Sequence, residues 1–487
     1  MKDRNSIIVI FILALFIRLC FLSTPKIIDS DGVIYTRLAG SLMSGNGFIG
    51  LDGTKSTIVR PLYPIFIGII DKIIKNIELS GRIISIFFGS LMPVIIFLIS
   101  KEIFGKKESF LAAILVSMSP ILASTSTGVM TETLFMFVIG VGILYLYSAL
   151  KRGRNFNFFI SGIIWGLPYL IRPEGISYLL VCVGMILFFN PEKISLRYRW
   201  IFVSFFLLGV FIPVLPLFVY LRISFGHWII SPEIYYLNPI EPAVYLRNLY
   251  YSAYIEQIPR IFTPLLIVFF GIGQFRSIFA EGKIRENVYL LSFVLYPFII
   301  YPWNSETTIS WRHYTIILPL LYIWVAKGIA EPARWLSEGA NKRNVKLLVT
   351  ISLAVLVFAD FMPRLSASFR KKDPYLECPL EYKFTGEWIK NNVGKDKAII
   401  SRIREIAFYG GVRGFGIPKE LKDCKQLVAF AKDRKIDYLV VDRRWTARLY
   451  PYLSVLLEDK NTPADLKLVY SWDKRPEYQV KVFKIIY

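Results

Sequence analysis

The chain contains only two histidines, His227 and His313, among 487 residues. That argues against Ser-His-Asp catalysis and against a histidine-built zinc site. Chemistry must then rest on carboxylates and cations. The segment Asp29-Ser-Asp31-Gly-Val-Ile-Tyr35 is the most informative. It places two carboxylates just beyond the first long apolar run, where a membrane would meet water. A carboxylate there can take a proton from a hydroxyl, or hold a hard divalent cation of the Mg or Mn type. Asp31 also precedes an apolar-periodic stretch and is a good helix cap, so the structural reading stands beside the catalytic one.

Four further segments carry charge at the ends of apolar runs. Arg60-Pro-Leu-Tyr63-Pro precedes a short apolar stretch, and Met130-Thr-Glu132 opens a long one. Charges at the edge of membrane spans are costly and by default functional; a helix-start acid favoured by the dipole is the plainer account of Glu132. Tyr169-Leu-Ile-Arg172-Pro-Glu174-Gly lies between two short apolar runs. Arg172 needs an anionic partner there, either Glu174 or a bound phosphate. Trp311-Arg312-His313-Tyr314 opens another run. It fits a phosphate contact, or an interfacial aromatic belt with a snorkelling arginine.

The elements that must position these residues follow from composition. Hydrophobic residues make up 54% of the chain and charged residues 19%, too few to clothe a soluble protein of this length. Mean hydropathy is +0.49. A spanning helix needs about 20 apolar residues. Runs that meet or approach this are 6–23, 81–100, 109–128, 131–150, 158–171, 175–189, 200–221, 261–280, 288–302, 313–330 and 346–362, about eleven spans. The first run lacks a small-residue cleavage site and is taken as an uncleaved anchor. With the N-terminus in the cytoplasm, every inner loop is basic: Lys101, Lys106 and Lys107; Lys151, Arg152 and Arg154; Lys193, Arg197 and Arg199; Arg276, Lys283 and Arg285; Arg334, Lys342, Arg343 and Lys346. The leftover stretch 61–74 would invert this pattern if it crossed, so it is placed on the outer face. Asp29, Asp31, Arg60, Glu132, Arg172 and Arg312 then all fall on the outer side.

The net charge of +22 raises a nucleic-acid partner, but the cations sit between apolar runs as topology requires. Lipid-borne phosphate is the expected anion. Residues 1–362 form the expected membrane domain, with the acidic segment in its first outer loop, 24–80. Residues 373–487 read as a soluble α/β domain outside the membrane. Within it, 381–391 has helical spacing, 397–400 and 436–441 are strand-like, and 466–472 with 478–487 look like a closing pair of strands. Cys378 and Cys424 fall in this domain, where a disulfide is permissible.

These motifs resemble the polytopic GT-C glycosyltransferases, in particular the dolichyl-phosphate-mannose–protein mannosyltransferase-like family and its relatives the aminoarabinose transferases. The likeness rests on the acidic motif with a tyrosine four residues on (Asp31, Tyr35), Arg60-Pro-Leu-Tyr63-Pro, the Thr-Glu132 opening, the Arg172-Pro-Glu-Gly turn and the late Arg312-x-Tyr pair. It implies transfer of one sugar from a polyprenyl-phosphate donor to a glycan, lipid or protein hydroxyl on the outer face, with inversion. Asp31 would be the base or metal-organising residue and Glu132 a second acid. Arg172 and Arg312, with Arg60, would neutralise the departing phosphate. Tyr35, Tyr63 and His313 would complete the donor site. The family usually shows Asp-Glu at the acidic motif, whereas Asp31 is followed by Gly32; whether Asp29 supplies the second carboxylate, and whether a divalent cation binds at Asp29 and Asp31, stay open. A flippase for polyprenyl-linked glycans and a glycan polymerase are the competing functions. A flippase would favour internal repeats and midplane charges, and the chain shows neither.

Overall fold

The computed structural model describes residues 3–22, 27–56, 58–189, 194–230, 241–250, 263–303, 311–335, 344, 347–353, 355–356, 378–458 and 462–487. The chain divides into two compact units. One holds Met1–Ser23, Thr57–Phe66 and Arg82–Ser368; the other holds Thr24–Ser56, Ile67–Gly81 and Phe369–Tyr487.

The first unit is helical because its apolar runs leave backbone polar groups no partner but their own helix. Its elements include α1 (Asp3–Leu22). Helices α2 (Ser30–Met43) and α3 (Leu62–Ile74) follow in the chain, then α4 (Ile77–Phe104). The segment 109–128, expected as one span, is broken at Ser119-Pro120 into α5 (Lys106–Met118) and α6 (Pro120–Thr125). Proline has no N–H to continue the ladder. Next come α7 (Glu132–Arg152), α8 (Asn155–Gly166), α9 (Tyr178–Phe188) and α10 (Leu196–Phe225). The unit continues with α11 (Pro242–Asn248), α12 (Pro264–Phe275), α13 (Ile284–Ile300) and α14 (Leu318–Trp335).

Among the described residues, five helices are long and apolar enough to cross a membrane: Asp3–Leu22, Ile77–Phe104, Glu132–Arg152, Leu196–Phe225 and Arg312–Pro332. They match five of the eleven expected spans. Glu108–Met118, Pro173–Phe188 and Pro264–Ala280 are shorter apolar helices at three more. The last expected span, 346–362, lies largely outside the described residues.

Close packing needs small residues here, as it does between helices in lipid generally. A Cβ on Gly162 of α8 would collide with the Phe206 carbonyl of α10, and one on Gly209 with the Phe159 carbonyl. One end of the unit gathers ion pairs. Asp3 lies 2.6 Å from Lys101 and 2.7 Å from Lys106, and Lys151 lies 3.0 Å from Glu102. Lys283 donates to the Ile103 carbonyl at 3.1 Å, Lys327 pairs with Glu281 at 2.5 Å, and Arg276 pairs with Glu331. Basic residues from several expected inner loops therefore converge.

The second unit is built on a five-stranded sheet, order β2-β1-β3-β5-β4. The strands are β1 (Ala398–Ile400), β2 (Arg413–Phe415), β3 (Tyr438–Asp442), β4 (Leu466–Trp472) and β5 (Val480–Ile485). β1 pairs in parallel with β2 and β3, while β3–β5 and β5–β4 are antiparallel. Alternating residues feed two cores. Ala398, Ile400, Leu439 and Val441 pack with α17 (Cys424–Asp433), whereas Ile399, Val440 and Val482 pack with α15 (Leu380–Asn392) and α16 (Arg404–Gly410). Ile27 and Leu51 join this second core, and the Gly414 N–H donates to the Leu51 carbonyl at 3.2 Å. The cysteines are not in disulfides. Cys378 accepts a hydrogen bond from the Ile27 N–H at 3.1 Å and Cys424 packs against the first of the two cores, so the permissible bridge is not formed.

Candidate functional site

In the first unit, three short pieces of chain deliver charge to one place. α7 begins at Glu132, whose carboxylate lies in the first turn at the positive end of the helix dipole. The turn between α8 and α9 is punctuated by Pro168 and Pro173, which start successive 3-10 turns and leave Arg172 extended between them. Gly175 permits the fold-back, because a Cβ there would strike the Pro168 carbonyl carbon. A single helical turn, Trp311–Tyr314, carries Arg312 and His313.

Arg172 is the hub. Its Nη1 lies 3.5 Å from Glu132 Oε1 and its Nε 2.5 Å from Glu174 Oε1, with all three side chains largely buried. Its guanidinium also stands 5.7 Å from the centre of the Phe135 ring. Among the described residues, Glu132 Oε2 is buried with no hydrogen-bond partner. Arg60 and His313, with Arg172, act electrostatically on Glu174. Arg312 Nη1 donates to Met130 Sδ at 3.7 Å, and the His313 ring lies 5.1 Å from that of Tyr301. A pocket opens among Glu132, Arg172, Tyr301, Arg312, His313 and Thr315. Tyr63 is fully buried; its hydroxyl meets Ser85 Oγ at 2.8 Å, and Ser85 donates to the Met130 carbonyl at 3.2 Å. Tyr63 therefore braces the backbone just ahead of Glu132.

The acidic segment belongs to the second unit. Asp29 occupies the N-cap position of α2 without a side-chain capping bond, and Asp31 lies in the first turn. Asp29 is exposed, Asp31 partly so, and Tyr35 is buried. Glu405 of α16 acts electrostatically with Asp29. Burial, then the Asp29 charge, raises its carboxyl to about 7.

The predicted residues thus fall in two groups. Arg60, Tyr63, Glu132, Arg172, Arg312 and His313 lie in the first unit, and Asp29, Asp31 and Tyr35 in the second. Sequence reasoning treated Glu174 only as a possible partner of Arg172 and passed over Tyr301 and Glu405. The Pro-Glu-Gly turn was a local signal for Glu174. Glu405 gave none, since some 370 residues separate it from Asp29. Among the described residues, no three His, Cys, Asp or Glu side chains gather as metal ligands.

The crystal structure of ArnT from Cupriavidus metallidurans bound to undecaprenyl phosphate is similar with a TM-score of 0.63 at 11% identity, over 98% of this chain and 97% of that one. The chain shares the fold of this structure. The archaeal oligosaccharyltransferase AglB from Archaeoglobus fulgidus, in complex with an inhibitory peptide and a dolichol-phosphate, is similar as well. It gives a TM-score of 0.64 at 13% identity, over 93% of this chain and 71% of that one. A second structure of the Archaeoglobus enzyme, a complex with Zn and sulfate, gives 0.59 at 12% identity, over 89% and 68% of the chains. Residues 58–217 of this chain match the family model described as dolichyl-phosphate-mannose-protein mannosyltransferase. No curated protein sequence matches it. The matched stretch carries Arg60, Tyr63, Glu132 and Arg172, from three of the five motifs on which the resemblance was based; Asp31 with Tyr35, and Arg312, lie outside it.

Proposed function

We propose that this membrane protein transfers one sugar from a polyprenyl-phosphate donor to an acceptor hydroxyl on the outer face of the membrane, with inversion. The observation that carries this reading is the buried Glu132–Arg172–Glu174 cluster beside Arg312 and His313, at the mouths of apolar helices in a GT-C fold. Two neighbours of that fold hold polyprenyl-type phosphates, dolichol-phosphate in AglB and undecaprenyl phosphate in ArnT.

The chemistry is a displacement at the anomeric carbon. Asp31 takes the proton of the acceptor hydroxyl as its oxygen attacks the face opposite the phosphate. The bond from the anomeric carbon to the phosphate oxygen breaks, and its electron pair leaves with the polyprenyl phosphate. Arg172 and Arg312, with Arg60, stabilise that charge, as preorganised cations do at a developing anion. Glu132 and Glu174 hold Arg172 in place, and Asp29 precedes Asp31 at the N-cap of α2. A cation would be held at Asp29 and Asp31, but these two carboxylates are not part of a three-donor group among the described residues.

The test is transfer of labelled sugar from a mixed polyprenyl-phosphate-sugar pool in proteoliposomes. Label appearing on an acceptor with inverted anomeric configuration is the expected result. Movement of intact lipid-linked sugar across the bilayer without transfer would replace this reading with a flippase.

A further inference from the structure

The backbone that leads into the acidic segment is held by the C-terminal residues of its own unit. The Ile28 N–H donates to the Tyr409 hydroxyl at 3.0 Å, and that hydroxyl donates to Glu78 Oε2 at 3.2 Å. One residue earlier, the Ile27 N–H donates to Cys378 Sγ. Two residues later, Arg404 Nη1 donates to Ser30 Oγ at 3.4 Å. Ile28 is 1% exposed, so its amide is cut off from water and depends on the tyrosine. Tyr409 and Arg404 both lie on α16, whose residues Ile406 and Ala407 are anchored in the sheet's second core. This helix thus holds residues 28 and 30, and Cys378 holds residue 27; the three flank Asp29 and sit just ahead of Asp31.

We propose that Tyr409 is a positioning residue for the acidic segment, its hydroxyl bridging the Ile28 amide and the Glu78 carboxylate so that Asp29 and Asp31 are presented at a fixed angle. The C-terminal domain is then part of the reaction machinery rather than an appendage. This deepens the glycosyltransferase reading and rests on it for its catalytic consequence, though not for the clamp itself. The ring does not make these contacts: only the Tyr409 hydroxyl makes both bonds, and the Glu78 charge strengthens the one that Glu78 accepts. Small displacements of a reacting group have large kinetic effects.

The experiment uses full-length Tyr409→Phe in proteoliposomes, which keeps the ring and removes the hydroxyl. Backbone hydrogen exchange over residues 27–35 is measured beside sugar transfer from a polyprenyl-phosphate-sugar pool. Exchange at the Ile28 region is expected to accelerate about tenfold or more, while exchange in the sheet stays as in wild type. With the donor KM unchanged, kcat is expected to fall roughly 10- to 100-fold. Glu78→Leu, which strips the hydroxyl of its anionic acceptor, should act in the same direction, and Glu78→Gln, which keeps an acceptor oxygen, should restore most of the rate. Should Tyr409→Phe fail to fold, the Glu78 pair carries the test alone. Unchanged exchange at residues 27–31 overturns the clamp. Faster exchange with wild-type kcat overturns its link to the chemistry. If the wild type transfers no sugar but the substitution still loosens residues 27–31, the clamp stands and the glycosyltransferase reading falls.

Discussion

Arg172 and Glu132 face each other across 3.5 Å, one from the turn between α8 and α9 and the other from the first turn of α7. The pair joins two segments forty residues apart and leaves Glu132 Oε2 without a hydrogen-bond partner among the described residues.

Arg172→Met removes the cation between two largely buried carboxylates, Glu132 and Glu174. Breaking a buried pair by one partner costs about 3–5 kcal/mol. The variant should melt well below wild type, and Arg172→Met with Glu132→Gln should recover part of the loss. Equal melting of the single variant and wild type, followed by thermal unfolding in detergent, would mean that the cluster is solvated and contributes little.

Asp31→Asn keeps the size and most of the local bonding at the start of α2 but removes the carboxylate proposed as the base. Transfer should fall by roughly 10²- to 10⁴-fold with an unchanged melting temperature. Asp29→Asn should lose less. Wild-type transfer by the Asp31 variant would reduce this residue to a helix-start acid.

Arg312→Gln should weaken binding of polyprenyl phosphate about 10- to 100-fold, the worth of a charged hydrogen bond. The difference from wild type should narrow as salt rises, because the lost interaction is electrostatic. A binding titration at two ionic strengths checks both points; equal affinity at low salt would place the phosphate elsewhere.

Glu405 supplies a pH dependence of stability. Burial, then Asp29, raises its carboxyl from 4.5 to about 7 in the folded chain. Between those values the folded state binds more protons than the unfolded chain, so stability falls as pH rises from about 4.5 to about 7 and is level above it. The span is on the order of 3 kcal/mol. Glu405→Gln should flatten that stretch of the melting-temperature profile. A slope unchanged by the substitution would assign it to another group.

The membrane helices were legible because a span must carry its own apolar surface, so α1, α4, α7 and α10 stand in the sequence as continuous runs. The basic clusters between these runs were equally plain. Their meeting in space was not, since Asp3 with Lys101 and Glu102 with Lys151 are long-range pairs. β4 fell where 466–472 predicts it, and β3 and β5 within two residues. β2 and α16 were missed: three residues make no periodic signal, and a seven-residue helix owes its stability to the sheet it packs on.

Residue types near the ends of apolar runs were enough to nominate Glu132, Arg172, Arg312 and His313, because a charge at such a place is too costly to be casual. Sequence alone thus determined that the protein is a multi-helix membrane protein with a small α/β region, and which charges border its apolar runs. Only the tertiary structure decided that Arg172 lies between two carboxylates, that Tyr63 braces Met130 from within, and that Glu405 and Tyr409 stand beside Asp29 and Ile28. Hydropathy is a local sum over neighbours in the chain. A hydrogen bond between residues 381 positions apart is set by how the whole unit closes, and no window of sequence contains it.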